Sequence, residues 1–281
     1  MRAWPRAALA TFVLAAQPQA VAIAQGVVIS PHFVFVTDRD KSTTIDLYNS
    51  SGVTADVSLS TVFGTYRTDS VGGIVVVPER SPRADAPSAA KWMELYPRHV
   101  VLRPNTHQVV KILAVPPAGL PDGEYRTRLI VDAKPIAPPQ PATPDATTIA
   151  LSVEIQTSLS MIYRQGSTSS GVGISDVRAT VNGDYLDVRM HLEKTGNASF
   201  FGKLRGGVYD SSGSVAAPLD VNLAMNESMD PRFRLPLGEL KSGTYSLQLN
   251  VSSDRADISP DVLVLIPRER WEGNITVQRG Y

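Results

Sequence analysis

The sequence contains no cysteine, and its 27 basic and 27 acidic residues cancel to a formal net charge of +0. Without cysteine there are no disulfides, thiolate metal ligands, cysteine nucleophiles or thiol redox chemistry, so stability has to come from packing. A balanced charge gives no electrostatic footprint for nucleic acid or an anionic membrane. Beyond the N-terminal stretch, no apolar run reaches the roughly 20 residues of a spanning helix. Histidine is also scarce: His32, His99, His107 and His191 are the four, and none stands in an H-x-x-x-H or H-E-x-x-H spacing, which argues against zinc. The chain has no G-x-S-x-G elbow, P-loop, G-x-G-x-x-G or calcium-loop pattern. Carboxylate pairs such as Asp122/Glu124 and Asp254/Asp257 fall in turn-rich segments and read as solvated loop charge. The sequence therefore makes no case for an enzyme, a cofactor or a metal. Asn-x-Ser/Thr triplets, such as Asn49-Ser50-Ser51, are too short a pattern to carry weight.

What is present begins with a targeting pattern. Arg2 and Arg6 precede an apolar run from Ala7 to Ala16, and Ala22-Ile23-Ala24 forms an A-x-A site before Gln25. Residues 1–24 are expected to be a cleaved signal peptide, so that the mature chain begins near Gln25 and is exported. The 43% hydrophobic content suffices for sizeable cores. Length suits two domains, 25–164 and 174–267, with a Gly/Ser-rich linker at 165–173 and a tail at 268–281.

Short β-type runs dominate both halves. Val27–Val36, Thr43–Tyr48, Thr54–Val62, Ile74–Val77, His99–Leu102, Gln108–Val115 and Tyr125–Val131 are separated by turn signals such as Asn49-Ser50-Ser51-Gly52 and Leu120-Pro121-Asp122-Gly123. The second half repeats the style at Asp184–Leu192, Lys203–Tyr209, Arg232–Leu237, Gly243–Leu249 and the apolar run Val262–Ile266. The fold class is all-β, two sandwiches. Ser88–Leu95 is the single helix-compatible stretch, and Trp271 is the tail's one strong docking candidate.

Ile149–Arg164 is the most informative segment. Leu151, Val153, Ile155, Leu159 and Met161 alternate with polar residues, which places the aliphatics on one strand face. The run follows a proline-rich loop, 134–148, and exceeds the usual strand of about 5–6 residues. Either its apolar face is wholly internal, or the strand outlasts its sheet and leaves an edge that can recruit another chain.

Five pieces in order carry a family resemblance: ISPHFVF from Ile29, TTIDLYNSS from Thr43, VVLRPNTHQVVKI from Val100, LPDGEYRTRL from Leu120 and the long strand ending Ile162-Tyr163-Arg164. Together they resemble the periplasmic pilus-assembly chaperones of the PapD type, well over 27–164 and loosely beyond. The resemblance implies two immunoglobulin-like domains with a cleft between them. It also implies a long strand lent to pilin-like or surface-protein subunits, with an outer-membrane usher as a further partner. By that likeness Leu151, Val153 and Ile155 take the donated positions, Leu159 continues the row, and Glu124 and Arg164 form an interdomain ion pair. Where the family has two cleft cations for a subunit's terminal carboxylate, this chain has Phe33 and Ser160, so another basic group substitutes or the ligand differs. Two readings stay open: a chaperone acting through an edge strand, and a structural or adhesion module of two sandwiches without a client.

Overall fold

The computed structural model describes residues 26–136, 153–238 and 240–278. The first domain has ten strands: β1 (Val27–Ser30), β2 (Phe33–Thr37), β3 (Ser42–Asn49), β4 (Thr54–Thr68), β5 (Ile74–Glu79), β6 (Met93–Tyr96), β7 (His99–Leu102), β8 (His107–Ala114), β9 (Gly123–Ile136) and β10 (Ile155–Gln165). One sheet runs β1-β3-β8-β6. The other runs β2-β10-β9-β4-β5, with β7 also on β4. In strand-letter terms these are ABED against A′GFC with an extra edge, the immunoglobulin arrangement.

Period-two burial builds the core. Ile45 and Leu47 from β3, Val110 and Ile112 from β8, Leu129 and Val131 from β9, and Leu159, Met161 and Tyr163 from β10 meet between the sheets. The expected single strand Val27–Val36 is two strands. Ser30 pairs with Asp46 in one sheet and Phe33 with Ser160 in the other. Pro31, which lacks an N–H for a ladder, stands at the crossing.

Two turns expected from composition are pinned by side chains. Asn49, fully buried, donates to the carbonyls of Val53 at 2.8 Å and Leu102 at 2.9 Å. Its own oxygen accepts from Ser51 N–H at 3.0 Å and Ser51 Oγ at 2.6 Å. The L-P-D-G-E-Y turn ends in a tyrosine corner, in which the Tyr125 hydroxyl donates to the carbonyl of Pro121 at 3.0 Å. The second domain repeats it from L-K-S-G-T-Y, Tyr245 donating to Lys241 at 3.0 Å.

That domain has β11 (Gly171–Asn182), β12 (Tyr185–Thr195), β13 (Phe200–Tyr209), β14 (Val215–Met225), β15 (Arg232–Pro236), β16 (Gly243–Ser252) and β17 (Glu269–Val277). A β11-β12-β15 sheet faces a β14-β13-β16-β17 sheet. Phe200, Leu204, Leu223, Leu247 and Val251 form its centre.

Four further expectations need correction. Ser88–Leu95 contains no helix: Ser88 bridges to Arg126, and β6 begins at Met93. The linker is shorter than 165–173, because Gln165 still pairs with Gly123 and Gly171 already pairs with Thr195. Val262–Ile266 is a single 3₁₀ turn at Pro260–Val262 followed by non-strand chain, with Leu265 73% exposed. Residues 269–277 of the supposed tail are β17, paired with β16 from Val251↔Glu269 to Gly243↔Val277. Trp271, Ile275 and Val277 alternate onto the core side, a period-two signal that marks a strand.

Candidate functional site: an edge strand and the domain junction

β10 is antiparallel to β9 over its whole length, from Ile155↔Ala133 to Gln165↔Gly123. On its other side β2 covers only Ser160 to Arg164. Ile155 to Leu159 therefore has one strand neighbour among the described residues, and the outward backbone groups there are open to an added strand. Just before it, Glu154 pairs with Lys134 at 3.2 Å, continuing the approach of the two chains beyond the ladder.

The apolar row divides along its length. Leu151 lies outside the described residues. Val153 is 46% exposed. Ile155 is half-buried and lines, with Val153, Val27, Val53, Ala55 and Ala133, a shallow pocket at the end of the sandwich. Leu159 is buried in the first domain's core and offers no surface to a partner in this conformation. The reason is register: the odd-numbered side chains all point between the sheets, and the sandwich closes over them from Leu159 onward.

The opposite face of β10 and β9 looks toward the second domain. Directly opposed residues in an antiparallel pair share a face, so Glu124/Arg164, Arg126/Ile162 and Arg128/Ser160 form one layer. Phe33 packs edge-on against Phe201 at 5.4 Å between ring centroids, and the Arg255 guanidinium lies 5.3 Å over its ring. Ile162, Phe201 and Ile258 are buried together, with Phe33 and Phe35 against them. Ser160 is buried and accepts from Arg128. Arg128 also donates to Ser158 Oγ at 3.1 Å, to the Ser158 carbonyl at 3.0 Å and to the Tyr66 hydroxyl at 3.3 Å. Neutral oxygens thus hold this buried guanidinium, and it has no carboxylate partner among the described ion pairs.

Glu124 and Arg164 are brought together, with both Arg164 Nε and Nη2 3.3 Å from Glu124 Oε2. The Glu124 side chain is fully buried and that of Arg164 is 12% exposed, so Glu124 is a paired strand residue and not the solvated loop charge expected from the turn-rich sequence around it. Across the junction Ser199 N–H donates to Glu124 Oε1 at 3.1 Å, and the Ser199 hydroxyl donates to the same oxygen. Asn226 then donates to Ser199 Oγ at 2.7 Å and accepts the Tyr66 N–H at 3.0 Å. Arg164 reaches the carbonyl of Val262 and stacks 4.9 Å over Phe35. Both oxygens of the buried carboxylate are answered, Oε2 from the first domain and Oε1 from the second, as such a charge requires. The β4–β5 hairpin adds a further hold, since Arg232 N–H donates to the Gly72 carbonyl at 2.8 Å and Tyr66 and Ile74 pack on the second core.

Arg128, Tyr66, Ser199 and Asn226 were not singled out from sequence. A signal exists for the first: Glu124, Arg126 and Arg128 alternate, which places three charges on one strand face. Ser199 and Asn226 come from separate loops and carry no local signal.

The fold and this junction define the class, a two-domain immunoglobulin-like sandwich protein with a partly uncovered edge strand. No family model matches the chain, and no curated protein does. Several solved structures are similar to it. One is a chain of the CsuC–CsuE chaperone–tip adhesion subunit complex from archaic chaperone-usher Csu pili of Acinetobacter baumannii, with 13% identity, TM-score 0.45, and 88% of this chain and 97% of that one covered. Another is the YadV chaperone, with 14% identity, TM-score 0.45 and 89% and 99% covered. A third is the periplasmic chaperone SfaE, with 12% identity, TM-score 0.41 and 87% and 98% covered.

Proposed function

We propose that this protein is a periplasmic chaperone that binds pilin-like or surface-protein subunits by adding the β10 edge of its first domain to the partner's sheet. The observation that carries the reading is the segment Ile155–Leu159, which has β9 on one side and, among the described residues, no strand on the other. Main-chain hydrogen bonds along such an edge supply affinity, and alternate side chains supply selectivity. Val153, exposed just ahead of the ladder, and half-buried Ile155 are the apolar contacts, with Leu151 extending the row. The targeting pattern at residues 1–24 supports export, and the five PapD-like pieces support the class of client; an usher would then be the site of delivery. Phe33 and Ser160 contribute through the junction they build, with Arg128 the basic group beside Ser160.

One observation favours the alternative of a structural or adhesion module. Phe33 and Ser160 are occupied by Phe201, Arg255, Arg128 and Tyr66, which leaves them little to offer a ligand.

The test measures binding of the mature protein to candidate subunits, or to synthetic β-strand peptides from them, beside an Ile155→Asp variant. The expected result is binding by the wild type that the variant loses by at least about tenfold, the scale of burying one unpaired charge at an apolar contact. Equal binding by both would leave the structural-module reading.

A further inference from the structure

At Arg126 the neighbour of β9 on the side away from β10 and β2 is no longer β4 but the 87–89 backbone. Arg126 N–H donates to the Pro87 carbonyl at 2.8 Å, and Ala89 N–H donates to the Arg126 carbonyl at 2.9 Å. Beside this splice lies a cleft of about 660 Å³ walled by both domains, with Arg126, Trp92 and Tyr125 from the first and Lys194, Asn197 and Glu227 from the second.

Arg126 is more than nine-tenths buried, at 8% exposure. Its Nε is buried with no hydrogen-bond partner, and no ion pair or side-chain hydrogen bond of its guanidinium occurs among the described residues. Other buried arginines are engaged: Arg128 by serine and tyrosine oxygens, Arg255 by Asp257 at 2.6 Å. Glu124, the nearby buried acid, is committed to Arg164 and Ser199. The Phe63 ring lies 5.7 Å from its guanidinium carbon, and Glu124, Glu227 and Glu79 act on it through space without a hydrogen bond to it. Burial pushes its pKa down, and Lys194 across the cleft is lowered by burial and by the charge of Arg126. A nearly desolvated guanidinium and a half-buried ammonium, the latter donating to the Gly196 carbonyl at 2.8 Å and partly offset by Glu124, line one cavity and raise each other's energy, and an anion between them relieves both.

The rim decides which anion. Asp85, Asp122 and Glu227 also line the cleft and repel a dianion more than a single charge. A planar carboxylate matches the guanidinium fork. We propose that Arg126 and Lys194 form a binding site for one carboxylate group, carried by a small solute or by an acidic side chain of a peptide. This site is separate from the β10 edge and does not rest on the strand-addition reading.

The experiment titrates the mature two-domain protein with acetate, with phosphate, and with a capped glutamate tetrapeptide beside its glutamine counterpart, at constant ionic strength. Arginine Nε–H nuclear magnetic resonance signals and thermal melting are the readouts. Acetate or the glutamate peptide should saturate, more tightly than phosphate, with the glutamine peptide silent; whichever of the two binds tighter identifies the source. Arg126→Gln should weaken binding about tenfold or more, the loss of a charge-assisted pair, and Lys194→Gln should weaken it less. Ile155→Asp should leave it unchanged. If Arg126→Gln fails to fold, the Lys194→Gln titration decides. The proposal is overturned if neither carboxylate saturates, if phosphate binds tighter, or if the substitutions leave affinity unaltered.

Discussion

Tyr125 and Tyr245 occupy equivalent corners, each at the start of its domain's F strand with its hydroxyl on the carbonyl four residues back. One neutral hydrogen bond contributes about 1 kcal/mol, so Tyr125→Phe and Tyr245→Phe should each lower stability by that order. Separate unfolding transitions, followed by denaturant, should show each loss in its own domain. Asp187 is a different kind of residue. Burial pushes its pKa up, but Arg232, Arg234 and Asn182 donate to it and hold it down at about 2. The folded value lies below the ordinary 3.8, so the unfolded chain takes the proton first. The stabilisation is present above about pH 4 and is lost as pH falls toward 2. Second-domain melting should drop over that window, and Asp187→Asn should flatten the drop. A variant with the full acid dependence would remove Asp187 from the account.

At the scale of elements, alternation in the sequence was a reliable guide wherever a strand has one wet face. Thr43–Tyr48 and Gln108–Val115 appear as β3 and β8 with the expected side chains inward. It was a poorer guide to β10, because the strand changes surroundings along its length. From Ser160 on, both faces are covered, one by the first core and one by the second domain, and no local pattern reveals a partner domain. The reading of Val262–Ile266 as a strand failed for a related reason: a short apolar run does not say whether a ladder is there to receive it. β17 is legible in its period, because Trp271, Ile275 and Val277 fall on one face, although a stretch near a chain terminus reads as a loose tail by position alone. Its place at the edge of the β16 ladder carries a prediction. Deleting residues 268–281 uncovers β16 and removes Trp271, Ile275 and fully buried Val277 from the core. Burying one large apolar side chain contributes about 1.5–3 kcal/mol, so the deletion should unfold the second domain or leave it aggregation-prone while the first domain still melts cooperatively.

Over the whole molecule, the two sandwiches are joined by a short connection yet held, among the described residues, by several contacts, chief among them the Glu124–Arg164–Ser199–Asn226 network, the Phe33/Phe35/Phe201 cluster and the β4–β5 hairpin tip on Arg232. These differ in kind. The aromatic cluster supplies non-directional burial, whereas the carboxylate network is geometric: if either domain rotates, Glu124 loses both Ser199 donors and keeps only Arg164, its neighbour in the same sheet. Breaking a buried pair by removing one partner costs about 3–5 kcal/mol. In Arg164→Ala that cost is moderated because Ser199 still donates twice to Glu124. Arg164 contributes to each domain's own core only at the margin, through Phe35 and the Val262 carbonyl. The variant should therefore melt close to the wild type in its first domain but sample a wider range of interdomain angles. Small-angle scattering should report a larger radius of gyration and a broadened distance distribution. Adding Tyr66→Ala, which removes packing of the β4–β5 hairpin on the second domain, should broaden it further. If Arg164→Ala scatters as a body as rigid as the wild type, the orientation is set without Arg164, and its ion pair with Glu124, which lies between adjacent strands of the first domain, serves that sheet and not the orientation.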